Sequence, residues 1–316
     1  MNPLLEFGLD TTRWLQTTFP SLAGIMAFIS DLFLIAFLLP VIYWSIDKQF
    51  GRYIVTLAAY SGFLNDVGKF GLRGPRPFWL DPAVEQSYSP GYGVPSGHTQ
   101  SAFVAYISLA QWLRRRWIWA IAILLVVLMG VSRIYLGTHF VHDVFGGFIL
   151  GGLVLWLGHL WQQRGQPWVK SLSLGQQLGV LGGITAVCIL LVFIIRPLLG
   201  PPDNTAWASF TAIAEVESRE GLVNGMASVI SVTLGFILES HYVRFKMAGS
   251  TQQRILRTVV GLATTGVVFI GMGLIPTDDT TTFGLAFRFV RFFSSGIWVS
   301  FVVPWLLVHL NLAERE

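Results

Sequence analysis

The sequence predicts an all-α protein: a polytopic transmembrane helical bundle of about nine spans, with a five-span core and a C-terminal helical extension. Three observations predict it. Of the 316 residues, 53% are hydrophobic and only 12% charged, and the mean hydropathy of +0.62 lies outside the balance of a water-soluble domain. Apolar stretches recur at the length of about 20 residues that a helix needs to cross a bilayer core about 30 Å thick. Lys and Arg collect in alternate connections, as the positive-inside rule requires.

In chain order, residues 1–20 (MNPLLEFGLDTTRWLQTTFP) carry Glu6, Asp10 and Arg13 and lack the basic start and small-residue cleavage site of a signal peptide. They are expected to lie amphipathically at the interface, with Trp14 and Phe19 as anchors. A core follows over 21–162, with spans near 21–46, 53–71, 98–113, 117–137 and 139–162. Residues 163–176 read as a linker, and 177–316 as an extension of unassigned role, with spans near 177–198, 221–240, 255–275 and 283–310. The third span is short, and Pro304 is expected to kink the last. Gly221, Gly225 and Gly235 would permit close helix packing in the seventh.

Lys48, Arg52, the RRR run at 114–116, Arg164, Lys170, Arg244, Lys246, Arg254 and Arg257 mark the cytoplasmic side. The sequence pI of about 9.4 therefore reports membrane topology and not a nucleic-acid-binding face. The single Cys188 allows no intramolecular disulfide. The opposite side carries residues 72–97, the turn near 138, an acidic loop over 201–221 and the PTDDTTTF loop. Lys69, Arg73, Arg76 and Arg133 stand on that side, where topology does not call for them.

Three polar clusters lie at span ends on this side: KFGLRGPRP at 69–77, PSGH at 95–98 and SRIYLGTHFVHD at 132–143. Ionisable groups at such depth are costly and need partners. Lys69, Arg76 and Arg133 have only Asp143 as a nearby carboxylate, so a dianion would restore balance. Arginine forks match phosphate oxygens in pairs, which favours phosphate. Pro-Ser-Gly ahead of a helix adds backbone N–H donors and a positive dipole end, with Ser96 as N-cap or ligand hydroxyl. If the span is helical from its first turn, His139 and Asp143 lie four apart on one face, and the carboxylate can hold the imidazole tautomer. The other ring nitrogen could then attack phosphorus, with His98 giving a proton to the leaving oxygen. The cations would stabilise the transferring group, and no metal is required. Each cluster also has a plainer reading: an arginine as an interface anchor, Ser-Gly-His as an ordinary helix start, and His142 as a rival to His139. Their coincidence on one face favours a site.

Lys69, Arg76 and Pro77, then Pro95, Ser96, Gly97 and His98, then Ser132, Arg133, His139 and Asp143 follow the order and spacing of a known signature. The pattern resembles the three-part motif of the type 2 phosphatidic acid phosphatase superfamily over roughly residues 21–162, without departure at any of these positions. The resemblance implies that His139 is a nucleophile forming a phosphohistidine, Asp143 its orienting carboxylate and His98 the general acid. It assigns Lys69, Arg76, Ser96, Gly97 and Arg133 to phosphate binding. It further implies hydrolysis of a lipid phosphate or polyprenyl pyrophosphate at the outer membrane face, without metal or cofactor. The expected setting is a bacterial cytoplasmic membrane with a periplasmic or external site, the bilayer and the lipid phosphate as partners, and no nucleic acid. Phosphotransfer to another lipid and phospholipid binding or transport without turnover stay open as alternatives.

Other polar features carry expectations of their own. Asp66, one turn from Lys69 and next to Asn65, is an intrahelical partner or a proton relay. Asp31 is expected to face a polar interior. Arg288 and Arg291 are interface anchors or contacts to a second phosphate. Phe78, Trp79, Tyr88 and Tyr92 suit an interfacial lid.

Overall fold

A computed structural model describes residues 2–32, 38–199 and 207–315. Among these the chain is helical nearly throughout, and the only pairing of extended backbone is one antiparallel bridge between Phe245 and Arg315. The long elements are α1 (Pro3–Thr18), α2 (Ala23–Asp31), α3 (Lys48–Leu72), α4 (Gly97–Leu113) and α5 (Arg116–Tyr135). They continue with α6 (Val141–Leu160), α7 (Leu174–Leu199), α8 (Ala208–Leu238), α9 (Thr251–Gly273) and α10 (Thr282–Ile297).

Six helical segments among the described residues are long and apolar enough to cross a bilayer: Arg116–Tyr135, Val141–Ser171, Leu174–Ile194, Ala208–Val243, Thr251–Gly273 and Thr282–His309. The protein is an integral membrane protein. Three of the nine expected spans fall outside this set for separate reasons. The stretch 21–46 lies partly outside the described residues, α3 carries Lys48, Arg52, Asp66 and Lys69, and α4 has only 17 residues. The expected linker is itself helical: a turn over Trp161–Gly165 runs into a short helix, Gln166–Ser171. At Pro304 the chain passes through a wide turn, Trp298–Val302, into Val303–His309 with the proline in its first turn, where it has no N–H to lose.

Two compact units emerge, each gathered from three stretches of chain. The first comprises Met1–Ala36, Leu64–Trp156 and Phe193–Leu222; the second comprises Phe37–Phe63, Leu157–Val192 and Val223–Glu316. In the second, the fully buried Glu239 is held by Lys48 Nζ at 2.9 Å and Arg52 Nη1 at 3.2 Å. Removing either cation would leave a buried charge short of a partner. Gly235 is approached so closely by Ser300 that a methyl group there would collide with the hydroxyl.

In the first unit, α1 is more than a surface anchor. Asn2 caps it by accepting the Leu4 N–H at 2.9 Å. Trp14 and Phe19 are exposed, edge to face at 5.8 Å, as anchors would be. Its other side is buried: Gly8 packs on Phe140, and Gln16 Nε2 donates to the carbonyls of Val84 (2.9 Å) and Tyr135 (2.7 Å). Arg13 grips Asp81 at 2.7 Å. The proposed aromatic lid is therefore largely core. Phe78, Trp79 and Tyr92 are buried with Leu9, Val84, Phe140 and Ala214, and only Tyr88 is exposed.

Candidate active site

All eight sequence-designated residues belong to the first unit. α3 delivers Asn65, Asp66 and Lys69 on its final turns and ends where Arg73 adopts a left-handed backbone (φ 50°). Gly74 and Pro75 then lead to Arg76, whose backbone is extended and whose side chain is 1% exposed. A guanidinium has five N–H donors and no acceptor. Here Nε donates to Gly91 O (2.7 Å), Nη2 to Pro90 O (3.1 Å) and Tyr92 O (3.0 Å), and Nη1 to Thr138 O (2.8 Å). Nη1 also stands 3.3 Å from His139 Nε2. Arg76 thus ties the 90–92 loop to the turn before α6, and at its tip it meets a histidine.

The Pro-Ser-Gly-His segment opens α4 with Ser96 as N-cap, yet the serine hydroxyl caps no backbone N–H. It pairs with Thr99 Oγ1 at 2.9 Å, while its own N–H donates to Asp143 O at 3.0 Å. Asn65 Nδ2 braces the segment from α3, donating to Gln100 Oε1 (2.8 Å) and Pro95 O (3.3 Å). Glycines let two helices, α3 and α6, close on it. A methyl group on Gly68 would sit 2.9 Å from the Pro95 ring, and one on Gly147 would sit 2.7 Å from Ser96 O.

The third cluster hangs on a helix C-terminus. α5 stops because Gly137 takes φ +71°, and the N–H groups of Gly137 and Thr138 return to Ile134 O and Arg133 O, the pairing that closes a helix on a left-handed glycine. Arg133 O also accepts the His139 N–H (3.2 Å) and the Thr138 hydroxyl (2.9 Å). α6 begins only at Val141, so His139 precedes the helix instead of occupying its first turn. The expected encounter with Asp143 nevertheless occurs, with His139 Nδ1 3.4 Å from Oδ2. The same oxygen accepts the Phe140 N–H at 2.9 Å, so Asp143, third residue of α6, reaches back to the residue before the helix and is the histidine's neighbour at once.

Because Arg76 can only donate, Nε2 of His139 is the acceptor and Nδ1 carries the proton toward Asp143. Burial holds His139 well below its ordinary value of 6.5, and the charges of Arg76, Arg133, Lys69 and His98 push the same way. The imidazole is neutral, with the Nε2 lone pair directed at Arg76. Burial, with Arg133 next in importance, lowers Arg76 to about 9, against the pull of Asp143 and Glu217. Lys69, Arg76, His98, Arg133, His139 and Asp143 thus act on one another, while Ser96 and Gly97 adjoin them through Asp143 O and Asn65. Arg133 Nη1 is oriented by Ser30 Oγ at 2.6 Å.

Other residues settle differently. His142 stacks on Phe140 (5.4 Å, 10°), with Nε2 3.2 Å from Asp143 Oδ1. Asp31 is exposed at the end of α2, not enclosed, although its charge acts on Arg133. Arg288 pairs with Asp279 at 3.2 Å, and Arg291 lies over the Phe269 ring at 4.6 Å. Asp66 is touched by α8, where a methyl group on Gly221 would meet Oδ1 at 2.8 Å. The acidic loop expected over 201–221 is helical from Ala208, its first residues lying outside the described ones. That helix brings Glu215 against Tyr92 and Arg73, a contact that sequence reading missed.

The molecule is thus a helical membrane protein that buries a histidine between a carboxylate and an arginine. Residues 50–167 match the PAP2 superfamily, and residues 223–315 match the PAP2 superfamily phosphatase transmembrane extension. The chain carries a PAP2 superfamily domain followed by a PAP2 transmembrane extension. It is 38% identical over 103 residues to phosphatidylglycerophosphatase B of Bacillus subtilis, covering 30% of this chain and 49% of that protein. It is 29% identical over 112 residues to undecaprenyl-diphosphatase of Sulfolobus acidocaldarius, covering 35% of this chain and 54% of that one. These alignments span about half the length of those two relatives. An alignment with glucose-6-phosphatase catalytic subunit 1 of Haplochromis nubilus covers 100% of this chain and 99% of that protein at 23% identity. No solved structure matches.

Proposed function

We propose that this protein is a membrane phosphatase that hydrolyses a lipid phosphate or polyprenyl diphosphate through a phosphohistidine, without a metal. The observation that carries the reading is His139 held between Asp143 on Nδ1 and Arg76 on Nε2. Nε2 attacks phosphorus, the N–P bond forms as the bond to the leaving oxygen breaks, and His98 gives that oxygen its proton. Water then attacks the phosphohistidine, returns a proton to His98 and releases phosphate. Asp143 stabilises the positive charge that grows on the ring. Lys69, Arg76, Arg133, Ser96 and the Gly97 N–H hold the phosphoryl oxygens. In this reading residues 21–162 form the catalytic core; the loop charges favour a site on the outer side of the membrane, and the membrane itself is read as a bacterial cytoplasmic one.

A second reading, a phosphate monoester of a soluble sugar, is favoured by the full-length alignment with a glucose-6-phosphatase. Phosphate release by purified protein from polyprenyl diphosphate, phosphatidic acid, phosphatidylglycerophosphate and glucose 6-phosphate separates the two, with lipid turnover expected to dominate. Release from none of them overturns the enzyme reading. Loss of activity on adding a chelator overturns the metal-free mechanism, and appearance of a phosphorylated alcohol in place of free phosphate would mark transfer to a second lipid.

A further inference from the structure

α8 lies outside the stretch that carries the three motifs, yet its first turns press on the loops that hold Arg76. Phe210 stacks on Trp79 with ring centroids 5.2 Å apart and planes within 3°. Ala214 is fully buried among Leu9, Phe78, Trp79, Val84, Tyr92 and Phe140. The next residue, Glu215, accepts the Tyr92 hydroxyl on Oε1 at 3.0 Å, and the same oxygen lies 3.3 Å from Arg73 Nε. Both contacts are largely dry, since the Arg73 and Glu215 side chains are 8% and 14% exposed. Removal of water strengthens such a charge-assisted pair. Next to it, Gly91 adopts φ +78°, and a methyl group there would lie 3.3 Å from Glu217 Cβ.

These contacts close a ring of bonds. Glu215 holds Arg73; Gly93 N–H donates to Gly74 O at 2.9 Å; Arg76 binds the carbonyls of Pro90, Gly91 and Tyr92; and Tyr92 returns to Glu215. The segments 73–76 and 90–93 are thereby clamped together, and the tip of Arg76 that emerges from the clamp is the group facing His139 Nε2. We propose that Glu215 is a positioning residue: through Tyr92 and Arg73 it sets the placement of Arg76 against His139, so that a helix beyond the motif-bearing core completes the phosphate site. In its effect on rate, this rests on the phosphatase reading.

The test uses the full chain in detergent, as wild type, Glu215→Ala, Glu215→Gln, Tyr92→Phe and the double variant Tyr92→Phe/Glu215→Ala. Turnover of the best substrate, binding of inorganic phosphate by calorimetry, and the thermal midpoint are measured on each. Misplacement of a catalytic group by about 1 Å lowers rates by up to about 100-fold, so kcat and kcat/KM of Glu215→Ala are expected to fall together by about 10- to 100-fold. Glu215→Gln keeps an acceptor for Tyr92 and is expected to recover part of the loss. The double variant is expected to lose no more than Glu215→Ala, since both act through one chain of contacts. A folded Glu215→Ala with wild-type kcat overturns the proposal, and so does a loss confined to the thermal midpoint. If wild type releases no phosphate from any substrate, the phosphatase reading fails separately, and the calorimetry decides. Weakening of phosphate binding in Glu215→Ala by about 10-fold, the effect of losing about 1.4 kcal/mol, supports the clamp. Unchanged phosphate binding, or none in wild type, overturns it.

Discussion

Asp143 touches both histidines of its turn: Oδ2 lies 3.4 Å from Nδ1 of His139, and Oδ1 lies 3.2 Å from Nε2 of His142. Only His139 has its second ring nitrogen against Arg76; the His142 ring is stacked on Phe140 and partly exposed. His139→Ala is therefore expected to abolish phosphate release, while folded His142→Ala retains it within about 10-fold, the scale for a residue supporting a ligand from behind. Steady-state phosphate release by both variants checks this, and survival of activity in His139→Ala would move the nucleophile elsewhere.

Arg76→Lys preserves the charge but not the fork. A lysine has three donors on one nitrogen and cannot reach the carbonyls of Pro90, Gly91, Tyr92 and Thr138 together. Each buried carbonyl left unpaired costs about 1–3 kcal/mol. A lower thermal midpoint is expected, with kcat reduced by about 100-fold or more through the lost charge stabilisation. Unchanged stability would show that the clasp is dispensable.

Acid is expected to destabilise the fold through His139. Burial holds its folded value well below 6.5, so as pH falls through about 6.5 the unfolded chain takes up a proton that the folded one refuses. Stability contributed by the neutral imidazole is present above that pH and declines below it, by at most about 1.4 kcal/mol per pH unit. Thermal midpoints from about pH 7.5 down to about pH 5 should fall less steeply for His139→Asn than for wild type. Parallel slopes would assign the acid sensitivity to another group.

Gly147→Ala and Gly152→Ala form a matched pair on α6. A methyl group on Gly147 would lie 2.7 Å from Ser96 O, whereas one on Gly152 meets nothing within 4 Å. Overpacking at the first is expected to cost about 1–3 kcal/mol and, by shifting the start of α4, to lower kcat. Relief of backbone entropy at the second is expected to be neutral or to stabilise by about 0.5–1 kcal/mol. Equal thermal midpoints would contradict the close approach of α4 and α6.

The residues around His139 stood out in the sequence because Lys69, Arg76, Arg133 and Asp143 interrupt an apolar background at span ends, where each needs a partner. Glu215 was invisible for the converse reason. The run EVESREG at 215–221 has the low hydropathy of a solvated loop, and its partners Arg73 and Tyr92 are remote in the chain. Burial of Ala214 and stacking of Phe210 on Trp79 support the helix there, and neither is readable from local pattern. The same tertiary cover turned Phe78, Trp79 and Tyr92 from an expected lid into core. α4 was placed correctly because Pro95 and Ser96 are start signals that act locally.

The carbonyl of Arg133 receives three donors, two from Thr138 and one from His139. One residue therefore offers its guanidinium to the site and its backbone as the peg on which the neighbouring histidine hangs. The interval from Arg133 to His139 works as a gauge block: a single inserted residue would unhook the peg and rotate the imidazole away from Arg76 while leaving every side chain of the signature present. Two chains with identical catalytic inventories could differ in this one length, and only the chain with the right gauge would keep its nucleophile aimed.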